Sequence, residues 1–280
     1  MKLIFHIGLH KTGTTAFQQI CYANRAVLHD LGLIYSSYNN VGQHSILLSQ
    51  IQRNGIVAFE TYLDNVLADN LGASTLLISG EAFEYVMIDT HLARELEQVA
   101  KKRGFEEFEW VVVWRDAPEH LRSLYGELGK LGILVDPHTL VRAYKERGYF
   151  LATSAKFNYG FALDRARMLP RLKNAVSGSV VQMEFKDFIE GYAGCALLQR
   201  ILGPDGFKVF STTADTVVSN PNKALTPFQI EFRCVAAFRG VRRAKMNRTQ
   251  KSLFVLLNLL LIRRRMRFAA TAFNRFNESD

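Results

Sequence analysis

Residues Phe5 to Gln19 read F-H-I-G-L-H-K-T-G-T-T-A-F-Q-Q. A short apolar run (Leu3, Ile4, Phe5, Ile7) ends at Gly8, and Lys11, Thr12, Gly13, Thr14 and Thr15 follow before a helical-looking segment, Ala16 to Ala23. Strand, glycine-bearing loop and helix form a phosphate cradle, in which backbone N–H groups and the positive end of the helix dipole face one anion. The N–H groups of Thr12 to Thr15 are the candidate donors, and Lys11 is the candidate cation.

Gly8 and Gly13 keep the spacing of the nucleotide-triphosphatase loop G-x-x-x-x-G-K-[ST], in which lysine follows the second glycine and a hydroxyl holds magnesium. Here Thr14 stands at the lysine position, and the lysine has moved to Lys11, ahead of Gly13. The cation therefore reaches the anion from another side. From His6 to Thr15 the chain resembles the 5′-phosphosulfate loop of sulfotransferases that use 3′-phosphoadenosine 5′-phosphosulfate (PAPS). The likeness is to their bacterial branch, with H-I-G-x-x-K-T-G-T-T unbroken over ten residues.

A second anion element follows the β-rich run Trp110 to Trp114: Arg115, then Ser123 eight residues on. Arginine offers a bidentate fork to phosphate and serine a hydroxyl. If Asp116 caps a helix, Ser123 lies nearly on the same face seven residues beyond it. Read alone, Arg115 fits an ion pair with an acidic neighbour equally well. Beside the first loop, the pair is similar to the family's 3′-phosphate element, and Tyr125 stands where that family often has an aromatic residue. Asp116 could mimic the magnesium aspartate of a nucleoside triphosphatase, but helix capping explains it more simply. Val180 to Phe185, Asp187-Phe188, Leu202-Gly203 and Asn220 to Leu225 extend a diffuse likeness over about residues 1 to 230.

The resemblance implies sulfonate transfer from PAPS to an acceptor hydroxyl or amine, without a metal. Negative charge then develops on the oxygen bridging sulfur and phosphorus, where fixed donors act best. Lys11 takes that role. Glu81, in Ser79-Gly80-Glu81 after the run Leu76 to Ile78, is the first candidate for the base, with glycine where the family commonly has serine. His44, in a loop, is the second, because cytosolic relatives use a histidine. His6 and His10 read as local hydrogen-bonding residues. The expected acceptor is a carbohydrate, a lipid-linked glycan or a small metabolite.

These residues need a frame that gathers strand ends. Leu76 to Ile78, Trp110 to Trp114 and Val180 to Met183 read as strands, and Asp89 to Arg103 as a helix capped by Asp89 and stopped by Gly104. A further helix is expected from about Asp187 to Leu202, and a loop over residues 204 to 224. Thr226-Pro227-Phe228-Gln229 reads as a capping box. Alternating strands and helices predict an α/β fold of P-loop type. Its mostly parallel sheet carries helices on both faces, plus a helical C-terminal segment. Ligands gather at the carboxyl ends of such strands, where Gly8, Ser79 to Glu81 and Arg115 all fall.

The 280 residues are 48% apolar, enough for a packed core. Cys21, Cys195 and Cys234 are odd in number and scattered, which suits a reducing compartment. With no signal peptide read at the N-terminus, a cytoplasmic location is expected. The net charge of +9 is local: residues 228 to 280 hold 12 of 35 basic and 3 of 26 acidic residues. The expected division is a catalytic body, 1–227, and a basic helical extension, 228–280.

Ser252 to Ile262 is almost wholly apolar and precedes Arg263-Arg264-Arg265-Met266-Arg267, but eleven residues are too few to span a bilayer. Two readings stand: a packed helix with a solvated basic end, or a basic amphipathic segment that lies on an anionic membrane surface, peripheral at the inner membrane, or receives a polyanionic acceptor. Nucleic acid is not expected as a partner, because the run is aliphatic where stacking aromatics would be needed. A P-loop nucleotide-dependent kinase and a non-enzymatic membrane- or polyanion-binding protein are the rival functions.

Overall fold

The computed structural model describes residues 1–37, 42–70, 72–131, 133, 135–153, 158–216, 226–238 and 247–277. The chain packs as two units, 1–115 with 151–220 and 116–150 with 221–280.

In the first unit a five-stranded sheet runs in the order β2-β3-β1-β4-β7, all parallel. β1 (Lys2–Gly8) lies at its centre between β3 (Thr75–Ser79) and β4 (Glu107–Trp114), with β2 (Leu33–Ile34) and β7 (Ser179–Glu184) at the edges. The register pairs His6 with Ser79 and Gly8 with Val113, so the carboxyl ends of the three central strands finish side by side. The expected α/β class is therefore the observed one.

Both faces of β1 are covered, as its unbroken apolar run requires. On one face Ile4, Val111 and Val113 pack with Phe17 and Ile20 of α1 (Thr14–Ala23), Leu28 of α2 (Arg25–Asp30), and Phe188, Leu197 and Phe210. On the other, Phe5 stacks on Trp110 at 4.1 Å and meets Phe83 and Phe59, the latter from α4 (Val57–Asp69). On this face a 3-10 helix (Glu81–Met87) packs on β1, with α3 (Ser45–Asn54) and α5 (Thr90–Lys101) against it. The α5 cap is as read: Asp89 accepts from the Leu92 N–H at 3.4 Å. β5 (Tyr149–Thr153) and β6 (Asn158–Ala162) form a separate two-stranded sheet, and α8 (Arg165–Ala175) precedes β7.

Two sequence expectations change within the first unit. The helix expected over 187 to 202 is broken into α9 (Phe185–Ile189) and α10 (Cys195–Thr213). Between them Gly191 and Gly194 take φ of 73° and 83°, and a side chain on Gly194 would strike the Phe17 ring at 2.0 Å. The expected loop from 204 is instead helix as far as Thr213, re-entered after a break at Gly203. Pro204 is tolerated there because a first-turn residue needs no N–H partner. Asn220 to Leu225 lies outside the described residues.

The second unit is helical: α6 (Ala117–Leu131), α7 (Pro137–Arg147), α11 (Pro227–Phe238) and α12 (Arg248–Asn277). The Thr226 box forms as read, with Gln229 N–H on Thr226 Oγ1 at 3.2 Å and Thr226 N–H on Gln229 Oε1 at 3.0 Å. The expected boundary at 227/228 differs from the observed units, because 116–150 packs with the C-terminal helices. Gly126 and Gly129 let α11 approach: a Cβ there would lie 3.1 Å from Ile230 and 2.9 Å from the Cys234 sulfur. No helix among the described residues is long and apolar enough to cross a membrane.

Candidate functional site

The loop after β1 is tightly wound. A Cβ on Gly8 would lie 2.0 Å from Thr14 Oγ1, so only glycine lets the chain return over the strand end. Thr12 closes the turn, its N–H and Oγ1 both donating to the Leu9 carbonyl, at 3.2 and 2.6 Å. Its N–H is therefore engaged inside the loop, and the donors expected over Thr12 to Thr15 narrow to Gly13, Thr14 and Thr15. Lys11 has φ of 72°, and among the described residues it is the non-glycine residue with positive φ. That conformation costs about 1 kcal/mol and marks a position the fold over-determines. Gly13, with φ of 78°, opens α1, and no side chain caps that helix. An uncapped, partly buried helix start is a ready anion site.

The loop is joined from two other strand ends. Arg115, after β4, donates from its guanidinium to the Lys11 carbonyl at 3.3 Å and lies over the Phe185 ring at 4.9 Å. Stacking on the ring holds the planar fork in a fixed orientation. Phe185, Phe188 and Ile189 of α9 also approach Gly13, whose Cβ would meet Ile189 at 3.3 Å. The two positively charged residues singled out in the sequence thus meet, the Arg115 guanidinium on the Lys11 backbone. Ser123 lies on α6, within the second unit. Asp116 directly precedes α6 and accepts from the His120 N–H at 2.8 Å through its carbonyl.

After β3 the chain supplies Ser79, Gly80 and Glu81. A Cβ on Gly80 would lie 3.1 Å from the Ser45 nitrogen and 3.2 Å from the His44 carbonyl carbon, so a side chain there would press on backbone. Glu81 opens the 3-10 helix with its side chain 37% exposed, and its Oε1 lies 4.0 Å from His10 Nε2. The other ring nitrogen of His10 bonds the carboxylate of the wholly buried Glu84, and Phe161 packs edge-on to the ring at 4.8 Å. Burial raises the Glu84 carboxyl above its usual range, against the lowering by His10. His10 therefore stands between two carboxylates. By sequence His10 reads as a local hydrogen-bonding residue, and its one signal is Glu84 three residues after Glu81.

His44 is placed differently. Its ring is fully buried; Nδ1 accepts from the Ser79 N–H at 3.2 Å, while Nε2 lies on the Ser36 carbonyl and 3.0 Å from the Tyr62 hydroxyl. Burial lowers its pKa to about 4. Both ring nitrogens are held by the fold, so neither faces the loop. His6 likewise bonds Ser79 Oγ at 2.8 Å, stacks on Phe188, and is pushed down to about 3 by burial. Gln18 of α1 donates to the Ser79 carbonyl at 2.9 Å, completing a buried network under the loop.

Among the described residues no group of three or more His, Cys, Asp or Glu is placed to hold a metal ion. No protein-family model matches the chain, and no curated protein matches it. Among solved structures, a sulfotransferase from Alicyclobacillus acidocaldarius is 12% identical with a TM-score of 0.43, over 85% of this chain and 91% of that one. That likeness is too distant to carry function.

Proposed function

We propose that this protein is a sulfotransferase that moves the sulfonate of PAPS onto an acceptor hydroxyl or amine. The observation that carries the reading is the Gly8–Thr15 turn, with lysine in the left-handed conformation ahead of the glycine that opens α1 and Arg115 bonded to that lysine's carbonyl. A lysine so placed offers charge from the loop itself, where a nucleotide-triphosphatase loop supplies it from the helix.

In this reaction the acceptor atom attacks sulfur in line. The bond from sulfur to the 5′-phosphate oxygen breaks, and its electron pair stays on that oxygen. The N–H groups of Gly13, Thr14 and Thr15 hold the phosphate, and Lys11 stabilises the charge developing on the leaving oxygen. Arg115 holds the 3′-phosphate, with Ser123 assigned on sequence grounds as a second donor. Glu81 takes the acceptor's proton, a contribution of about 10²- to 10⁴-fold. His10, gripped by Glu84, positions the Glu81 carboxylate. A saccharide, lipid-linked glycan or small metabolite is the acceptor class.

Titration calorimetry of the full chain with 3′-phosphoadenosine 5′-phosphate in EDTA tests the reading. Binding is expected, weakened by about 10- to 150-fold in Lys11→Ala and in Arg115→Ala, the range of a lost charged hydrogen bond. Absent binding, or binding indifferent to both changes, overturns it. ATP hydrolysis abolished by EDTA would instead support the kinase.

A further inference from the structure

The second unit carries an exposed helix face that its own packing does not use. α12 turns Ile262, Ala269, Ala272, Phe273 and Phe276 inward, where they are buried. Leu256 and Leu260 point the other way, 71% and 84% exposed, and Arg263, Arg264 and Arg267 are exposed beside them. At 100° per residue these five positions fall within an arc of about 100°, and they extend roughly 16 Å along the helix. Arg265, in the same basic run, turns inward, donating to Glu231 at 2.7 Å and to the Tyr125 hydroxyl at 2.9 Å. Tyr125 in turn donates to Glu231 at 2.8 Å. One arginine of the run thus anchors the helix, and three are presented outward.

Nothing in the sequence neutralises that face locally, because no acidic residue occurs between Glu231 and Glu278. Two large leucines on the solvent side of an otherwise packed helix are unfavourable in water. Neighbouring arginines would set like charge against like in a two-fold contact between copies of this chain. For single-stranded nucleic acid the face offers aliphatic side chains where stacking rings are needed. Leucines flanked by arginines fit a bilayer interface, where acyl chains take the apolar groups and anionic headgroups take the cations.

We propose that the Leu256–Arg267 face of α12 docks on an anionic lipid surface. This goes beyond the proposed reaction and does not depend on it. Full-length protein is sedimented with vesicles of phosphatidylcholine alone or mixed with phosphatidylglycerol. Binding is expected only to the mixed vesicles, and it should weaken on the order of a hundredfold when Arg263, Arg264 and Arg267 are all changed to Gln. Leu256→Ser with Leu260→Ser should weaken it at least about tenfold. Thermal melts check that both sets of variants stay folded, as exposed positions allow, whereas Arg265→Gln should lower the melting temperature. Equal binding to neutral vesicles, no binding, or folded variants that bind like the parent would overturn the proposal. So would single-stranded RNA binding that depends on the three arginines without vesicle binding.

Discussion

Two histidines lie beside the ends of β1 and β3, and the fold treats them in opposite ways. His44 is bonded at both ring nitrogens to groups of the fold, the Ser79 backbone on one side and Ser36 with Tyr62 on the other. His10 is held at one nitrogen by a buried carboxylate, and its other nitrogen faces Glu81, whose carboxylate is partly open. A histidine closed on both sides fixes structure. One set between a buried carboxylate and a partly exposed one can couple the two electrostatically. The difference favours Glu81 over His44 as the base, and it gives His10 a role that its place in the loop did not suggest.

Replacing the proposed base should have the largest effect. Glu81→Gln is expected to lower sulfonate transfer by about 10²- to 10⁴-fold while calorimetry shows unchanged nucleotide binding. Undiminished turnover would return the base to another residue, with His44 to be tested first. Next, His44→Gln should cost about 1–3 kcal/mol of stability in urea unfolding, because it leaves buried partners unsatisfied. The folded fraction should still transfer sulfonate. A fold-intact variant without transfer would reverse the comparison.

The acid side of the stability curve gives a third test. His44 and His6 have folded pKa values of about 4 and 3, below the ordinary value near 6.5. Their contribution is therefore complete above pH 6.5 and is lost as pH falls towards those values. Unfolding free energy measured from pH 7 to 4 should drop by up to about 1.4 kcal/mol per pH unit for each histidine. Replacing His44 should flatten the slope, and an unchanged slope would show that its ring titrates elsewhere. The smallest effect is expected from Glu84→Gln, which keeps the shape of the group and removes its charge. Nucleotide binding should persist, while the pH–rate profile shifts through the altered His10. A profile identical to the parent would detach Glu84 and His10 from the reaction.

The local elements of this plan were legible in the sequence because their contacts are local. The Gly8–Thr15 turn, the Asp89 cap and the Thr226 box each close over a few residues, so residue type and spacing specify them. The α9–α10 break was hidden because Gly191 and Gly194 matter through the Phe17 ring, far away in the chain. The membership of the second unit was hidden for a similar reason. Gly126 and Gly129 look like weak points of a helix until α11 is laid against them.

By itself, then, the sequence determined that a tight glycine-bounded turn follows the first strand and that its lysine precedes the second glycine. Backbone stereochemistry and an eight-residue span are enough for that. Tertiary structure alone decided which carboxylates and which histidine meet the turn. Glu84 lies 74 residues from His10, and the two come together only because parallel pairing sets His6 opposite Ser79. Such contacts depend on strand register and burial, and no local pattern of residues carries either.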